Sequence, residues 1–388
     1  MREAVIVSAV RTPVGKFRGS FASIPAHELG AKVVEEAVKR AKINPEEIDE
    51  VIFGNLMNNE INNMGRMVGL TAGLPINVPG ITLDRQCASG LNAIAYASMF
   101  IQGGFADIIV AGGVESDSTR TYLMERPTAA YQLAPPKWAV THVAPTELNI
   151  PMGMTAENVA EKYNLTREEC DEFAVCSHQK AAKAWKLGYF DEQVLSIEVS
   201  LRKGKTMVVS QDETVREETT IEGLAKLPLV FKKDGIVTAG NSSPLCDGAS
   251  AVVVMEREKA ESLGLEILAK FVGYAAVGVD PLIMGTGPIE ATKKLFKQTG
   301  LTMDDIDLIE MNEAFAAQSL ACIKELNMPL EKLNVNGGAL ALGHPMAATG
   351  SILVTKLCYE LKRRNLKRGL ISFCVGGGQG VAAIIERV

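Results

Sequence analysis

Short continuous apolar runs recur along the chain, bounded by glycines or by acidic turns. Runs of this length, rich in Val and Ile, predict strands of a sheet covered on both faces. In "EEIDEVIFGN" (46–55) an acidic turn leads into one such strand, and "DDIDLIEMNE" (304–313) repeats the arrangement. The segment "LNAIAYASMFIQGGFADIIVAGG" (91–113) predicts a helix, a short link and a strand ending in glycines. Its counterpart is "SILVTKLCYELKRRNLKRGLISFCVGGG" (351–378). The spacing from Ile48 to Ile109 nearly equals that from Ile306 to Ile371. The pattern therefore predicts a duplicated α/β unit. The opening "MREAVIVSAVRTP" and the closing "AAIIERV" also read as strands.

The middle breaks the pattern. Residues 118–150 are rich in Pro, Thr and Ala and lack periodicity. A helix follows, with a capping box at Thr166 and Glu169 and a stop at Gly188. Residues 196–230 read as short strands and loops, and the apolar pattern resumes at "GASAVVVM" (248–255). Three parts are expected: an N-terminal half over 1–117, completed by 248–268; an inserted loop domain over 118–247, covering a substrate; and a C-terminal half over 269–388.

Composition narrows the class. The 388 residues carry a net charge of −6, and no long Lys/Arg block is present. Nucleic acid is not an expected partner, and no apolar run is long enough for a membrane span. The N-terminus lacks the charge and apolar-core pattern of a signal peptide, so a cytoplasmic enzyme is expected. Seven cysteines, an odd number, argue against a disulfide framework. Without a C-x-x-C pair, and with four histidines scattered, no metal site is expected. Cys170, Cys176, Cys322 and Cys358 lie in helical patterns and read as core filler.

Two cysteines invite chemistry. Cys87 stands in "DRQCASGLNA" (84–93), a small-residue loop opening a helix. One reading is packing, since cysteine is a small hydrophobe. The other is a nucleophile whose thiolate is favoured by the helix N-terminus, with a lowered pKa. Cys374 stands in "LISFCVGGGQG" (370–380), where a backbone free of side chains lets a ligand approach. A Rossmann phosphate loop is excluded there, because only eight residues follow the motif. "MNEAFAAQ" (311–318) places Asn312 and Glu313 between a strand and a helix. "NGGALALGHPMAATG" (336–350) places His344 in a Gly/Ala-rich loop before another helix.

"CASGLNA", "NEAFA", "GGALALGHP" and "CVGGGQG" together resemble the motifs of the thiolase family, with further matches in "RTPVGKFRGS" (11–20), "PMGMTAEN" (151–158), "VTAGNSS" (237–243) and "MGTGP" (284–288). The resemblance spans the chain. It implies an α/β fold of two duplicated halves in α-β-α-β-α layers, with a loop domain over the active site. It also implies CoA-dependent thiolytic cleavage of 3-ketoacyl-CoA, and the reverse Claisen condensation. Cys87 would be the nucleophile that becomes an acyl-thioester, and Cys374 the group that moves the proton on the carbon α to the thioester. His344, with a water held by Asn312, would form one oxyanion hole. The N–H groups of Cys87 and Gly376 would form the second. Arg216 would sit near the adenine end of CoA and Ser243 against the pantetheine, with Met152, Ala239, Met284, Ala314 and Phe315 lining the pocket. Lys203 and Lys205 could meet a CoA phosphate, though a solvated loop also accounts for them. No permanently bound cofactor is implied; CoA and acyl-CoA enter as substrates. A homo-oligomer, dimer or tetramer, is implied.

The sequence departs from the family pattern at named points. Asp84 replaces the usual asparagine, and a carboxylate beside Cys87 would oppose its thiolate unless it pairs with Arg85 or points away. Pro151 stands where many acetoacetyl-specific members carry histidine before the Met-Gly. Pro244-Leu245-Cys246 and Met346-Ala347 also differ. These changes leave the reaction type intact and bear on acyl-chain preference; Pro151, with "GGGQG" resembling degradative members, points to a broad-range degradative enzyme over a dedicated acetoacetyl-CoA enzyme. A β-ketoacyl synthase would need a second catalytic histidine. A silent thiolase-like lipid carrier would have lost one of Cys87, Asn312, His344 or Cys374.

Overall fold

The computed structural model describes residues 2–127, 129, 131, 137–201 and 204–388. The first half runs β1 (Ala4–Arg11), β2 (Gly15–Lys16), α1 (Ala26–Ala41), β3 (Glu50–Gly54), α2 (Met64–Thr71), β4 (Gly80–Leu83), α3 (Ser89–Gln102) and β5 (Ile108–Ser116). Next come α4 (Met152–Tyr163), α5 (Arg167–Lys186), the hairpin β6 (Ile197–Ser200)–β7 (Thr206–Val209), and α6 (Ile221–Ala225). Strand β8 (Cys246–Glu256) returns to the first half and is followed by α7 (Arg257–Ser262). The second half runs β9 (Ala269–Gly278), α8 (Gly287–Thr299), β10 (Leu308–Met311), α9 (Ala316–Leu326), α10 (Ala339–Leu342), α11 (Met346–Arg364), β11 (Arg368–Val375) and β12 (Gln379–Glu386).

The main strands line up in the order β10-β11-β12-β9-β1-β8-β5-β3-β4. The two halves join between β1 and β9 through only two residue pairs, Val5 with Lys270 and Ile6 with Ala269. Strand β3 pairs parallel with β5, and β10 pairs parallel with β11, as the repeat requires. A shared device fixes both pairings. Asp49 accepts the N–H groups of Asp107 and Ile108, and Asp307 accepts those of Lys367 and Arg368. The acidic turns seen in the sequence thus supply one aspartate per half to lock the start of the neighbouring strand.

The layers follow from which face each side chain covers. Helix α1 packs Leu29, Val33 and Val34 on the outer face of the first half's strands. Helix α8 packs Ile289 and Leu295 on the outer face of the second. Between them, Leu91 and Ile94 of α3 and Leu353 and Leu357 of α11 share one core with Ile109 and Phe373. Helices therefore alternate with strands in five layers. Both central helices are buried nearly all round, as the apolar run of α3 foretells. They also cross unusually closely. A Cβ on Gly90 would lie 2.7 Å from the Ala347 carbonyl, and one on Gly350 would lie 2.8 Å from the Leu91 Cβ. Glycine at both positions lets the N-termini of α3 and α11 meet.

Buried ions tie the middle segment to this frame. Arg11, 1% exposed, forms two hydrogen bonds with Asp212, at 2.7 and 3.0 Å, and a third with Gln193. In the second half, Lys356 on α11 donates to Glu310 on β10 at 2.6 Å and to the Gly337 carbonyl. The capping box of α5 forms as expected, with Thr166 and Glu169 bonding reciprocally. Cys170, Cys322 and Cys358 are buried in helices, but Cys176 on α5 is exposed and is not core filler.

Candidate active site

Cys87 lies in a single 3-10 turn, Gln86–Ala88, directly ahead of α3. The turn is entered through Gln86 at φ +47°, an uncommon conformation for a residue with a side chain. Asp84 holds it there by accepting the Gln86 N–H at 2.7 Å and the Gln86 side-chain amide. So Asp84 does not pair with Arg85, whose guanidinium instead reaches Gln379 and Tyr96. Its charge still adds a small upward push on the Cys87 thiol.

The expected low pKa of Cys87 is not what the structure gives. Cys87 is only partly buried as a residue, yet the protein packed around its thiol pushes the pKa up to about 11, chiefly by desolvation. The N–H groups of Gly376 and of Cys87 itself face the sulfur and pull the other way. Burial outweighs the helix-terminus effect, because a thiolate loses more from leaving water than a few N–H dipoles return. Those donors nevertheless join Cys87 and Gly376 at one point.

Gly376 follows β11, and the turn after it needs glycine. Gly377 and Gly378 sit at φ +79° and +77°, and a Cβ on Gly378 would lie 2.7 Å from the Pro281 nitrogen. Cys374, at the end of β11, has no exposed surface. It clusters with Met284 and Ala314, and with the partly buried Met152 and Phe315. Desolvation first, and then the neighbouring Cys87, hold its thiol well above the usual range. Four of the five expected pocket residues thus surround Cys374. The fifth, Ala239, lies elsewhere.

His344 is reached through a short helix, α10, which the sequence suggested only as loop. The Asn312 amide nitrogen lies 3.3 Å from His344 Nε2, and the Thr349 hydroxyl lies 2.7 Å from Nδ1. Thr349 donates its one O–H to the Pro345 carbonyl. Nδ1 therefore carries the proton and Nε2 offers its lone pair to the Asn312 N–H. Burial lowers the His344 pKa to about 4, so the ring is neutral at physiological pH. Asn312 Oδ1 is buried without a protein partner, an open acceptor of the kind a water or substrate group fills.

Glu313 holds this loop. It accepts from the Ser177 hydroxyl, the Asn334 amide and the Leu340 N–H, at 2.7, 2.7 and 3.2 Å. Asn334 in turn bonds both the N–H and the carbonyl of Met311. Nothing in the "NEAFA" spacing alone shows that Ser177, on α5, would reach Glu313. Downstream, the Ser243 N–H donates to the Ala314 carbonyl, joining the "AGNSS" segment to the same loop.

A cleft of about 190 Å³ opens between the middle segment and Leu340 of α10, whose N–H is held by Glu313. Arg216 and Ala239 line it, together with Ser242, Pro244, Lys16 and His178. Ser242, rather than Ser243, is on its wall. Lys16 and His178 were not picked out from the sequence; His178 Nδ1 accepts the Arg216 N–H and so fixes that segment. Burial lowers the His178 pKa to about 4, with Arg216 adding to the effect. Lys205 is exposed at the base of β7, away from the cleft, and Lys203 lies outside the described residues. Cys246 heads β8, fully buried, with its sulfur facing the His344 N–H.

Comparison with known proteins shows the family. Residues 4–258 match the thiolase N-terminal domain, and residues 265–387 match the thiolase C-terminal domain. Over 392 aligned positions the chain is 45% identical to an acetyl-CoA acetyltransferase of Pseudomonas aeruginosa, covering all of both chains. It is 42% identical to a probable acetyl-CoA acyltransferase of Staphylococcus aureus, again over the full length of both. The crystal structure of the Bacillus anthracis acetyl-CoA acetyltransferase superposes with a TM-score of 0.96 at 45% identity, over 100% of this chain and 99% of that one. That of human mitochondrial 3-ketoacyl-CoA thiolase superposes with a TM-score of 0.95 at 39% identity, with the same coverage. With both domain models matched and relatives aligned from end to end, the chain belongs to the thiolase family and is an acyltransferase.

Proposed function

We propose that this thiolase is a broad-range degradative enzyme that works through a Cys87 acyl-enzyme. The observation that carries the proposal is the meeting of Cys87, the Gly376 N–H and Cys374; a neutral His344 held by Asn312 would complete the site. Cys87 attacks the keto carbon of a 3-ketoacyl-CoA while its proton passes to His344 Nε2. The new C–S bond forms, the C–C bond breaks, and the acetyl-CoA enolate takes its proton from Cys374. Free CoA then gives its thiol proton to Cys374 and attacks the thioester, releasing the shortened acyl-CoA and the Cys87 thiolate, which takes its proton back from His344. The reverse order is the Claisen condensation. Two negative charges develop at different atoms, so two donor sets are needed. The N–H groups of Cys87 and Gly376 supply one; His344, once Nε2 has taken the Cys87 proton, and a water held by Asn312 would supply the other.

CoA would enter through the cleft of Arg216 and Ala239, with Ser243 near the pantetheine, as a substrate and not a resident cofactor. Residues 118–247 would act as the loop domain over it. The breadth of substrate rests on Pro151, an exposed N-cap of α4 that adds no imidazole next to Met152. An acetoacetyl-specific biosynthetic role is the second reading, favoured by the names of the 45%-identical relatives. Thiolysis rates on short, medium and long 3-ketoacyl-CoA decide between them. Six- to eight-carbon substrates should fall within roughly tenfold of acetoacetyl-CoA in kcat/KM, and strict confinement to acetoacetyl-CoA would select the second reading.

A homo-oligomer fits the exposed Met67, Leu70, Ile76, Ile81, Met99 and Phe100, which surround the edge strand β4. A cytoplasmic setting and a place in β-oxidation fit seven unpaired cysteines and the proposed degradative chemistry. Among the described residues, no helix is long and apolar enough to cross a membrane.

A further inference from the structure

Glu115 has no part in the chemistry above, yet it is a carboxylate with no exposed surface at the end of β5. Its Oε1 accepts the Met57 N–H at 2.9 Å and its Oε2 accepts the Ala347 N–H at 3.2 Å. Ala347 lies in the first turn of α11, three residues beyond His344. A carboxylate there meets an unpaired helix N–H and the positive end of a 19-residue helix. The same carboxylate is close enough to Cys87 for its charge to raise that thiol. One side chain therefore bears on the mount of His344 and on the sulfur of Cys87.

The groups facing Glu115 come from several elements. Asp117 stands two residues along and pairs with Arg120 at 3.1 Å. Cys246, on β8, and Cys87, ahead of α3, both feel the Glu115 charge. Desolvation raises Glu115 itself to about 8; Asp117 adds to the rise, while Arg120 and the two N–H donors oppose it.

We propose that Glu115 is a positioning residue: its two oxygens clamp the start of α11, and with it His344, to the 55–58 segment, and its charge, when present, adds to the burial that opposes Cys87 ionisation. The inference rests on the reading of Cys87 and His344 as the reacting pair. The two roles act in opposite directions. Removing the charge relieves a like-charge penalty and eases thiolate formation. Removing an acceptor frees one end of the clamp and lets His344 drift from its working position. A residue that only stabilised the fold would not make the thiol more reactive and the enzyme slower at once.

The test compares Glu115→Gln and Glu115→Asp in the full-length enzyme. The pH profile of Cys87 alkylation by iodoacetamide is followed by peptide mapping, alongside kcat for thiolysis of acetoacetyl-CoA. In Glu115→Gln the alkylation midpoint should move to lower pH by on the order of one unit. At about pH 9, where Glu115 is ionised in the wild-type enzyme, its kcat should fall by about tenfold to a hundredfold, because an amide N–H now faces one of the two backbone N–H groups. Glu115→Asp keeps the charge but is too short to reach both donors, so its midpoint should stay and its kcat should still fall. A folded Glu115→Gln protein with an unmoved midpoint, or with wild-type kcat, overturns the proposal. If that variant does not fold, wild-type kcat in Glu115→Asp overturns it instead. A wild-type enzyme that acetyl-CoA acetylates elsewhere than at Cys87 sinks the reading beneath both; acetylated Cys87 with indifferent Glu115 variants sinks this inference alone.

Discussion

Replacing Gly350 with alanine should slow the enzyme and weaken it, although alanine is the better helix former. By propensity alone the change would stabilise α11 by about 1 kcal/mol. The crossing with α3 decides otherwise. The added Cβ would lie 2.8 Å from the Leu91 Cβ and 2.9 Å from its Cα, and closer still to its amide nitrogen. These atoms sit at or next to the backbone and cannot rotate away, so the helices must part. Overpacking of this kind costs about 1–3 kcal/mol, which offsets the propensity gain and leaves a net loss of up to about 2 kcal/mol. Because α3 begins two residues after Cys87 and α11 two residues after His344, parting them displaces one reacting group from the other. A shift on the order of 1 Å lowers kcat by about a hundredfold. Urea denaturation gives the stability change as a lower midpoint at constant slope, and steady-state thiolysis gives the rate. Gly223→Ala in α6, where the Cβ meets only Thr220 Oγ1 at 3.3 Å, is the comparison. A Gly350→Ala enzyme with wild-type kcat and an unchanged or raised urea midpoint would refute the argument.

Three further outcomes follow from the same geometry. Cys87→Ala should lose thiolysis, condensation and acetylation by acetyl-CoA, whereas Cys374→Ala should lose about 10²–10⁴-fold in the C–C steps and still show one acetyl group on Cys87 by intact mass; full condensation activity in the latter would disprove the division of labour. His178 and His344 titrate near 4 in the fold and near about 6.5 when unfolded, so the unfolded chain binds more protons between those values. Their contribution to stability is complete above about pH 6.5 and is lost as pH falls toward 4, on the order of 3 kcal/mol each. His178→Gln should therefore flatten the dependence of the urea midpoint on pH in that window, and equal slopes would contradict it. Arg11→Leu, which strands the buried Asp212 carboxylate, should cost about 3–5 kcal/mol, and a variant within 1 kcal/mol of wild type (roughly the scatter of surface substitutions) would show that the pair is dispensable.

Much of the frame was legible along the chain. The acidic turns before β3 and β10, the glycine-ended strands and the capping box of α5 are local signals, set by hydrogen-bonding capacity and apolar period within a few residues. The residues brought around Cys374 were legible only through a family resemblance, because Met152, Met284 and Phe315 carry no chemistry of their own and lie far apart in sequence. The Ser177–Glu313 bond and the Glu115 clamp were not legible at all, since each joins elements more than a hundred residues apart.

By itself, then, the sequence determined the duplicated α/β pattern, the small residues that let α3 and α11 cross, and the identity of the reactive side chains. The tertiary structure decided the strand order, in which β8 returns antiparallel between β1 and β5, and β12 between β11 and β9. It also decided the charge state of the site. A helix N-terminus argues for a low Cys87 pKa, but the folded protein removes water from the sulfur and sets Glu115 within reach of it, and the thiol rises to about 11. Propensity and period act over a few residues; desolvation and charge act through space, among groups that only folding brings together.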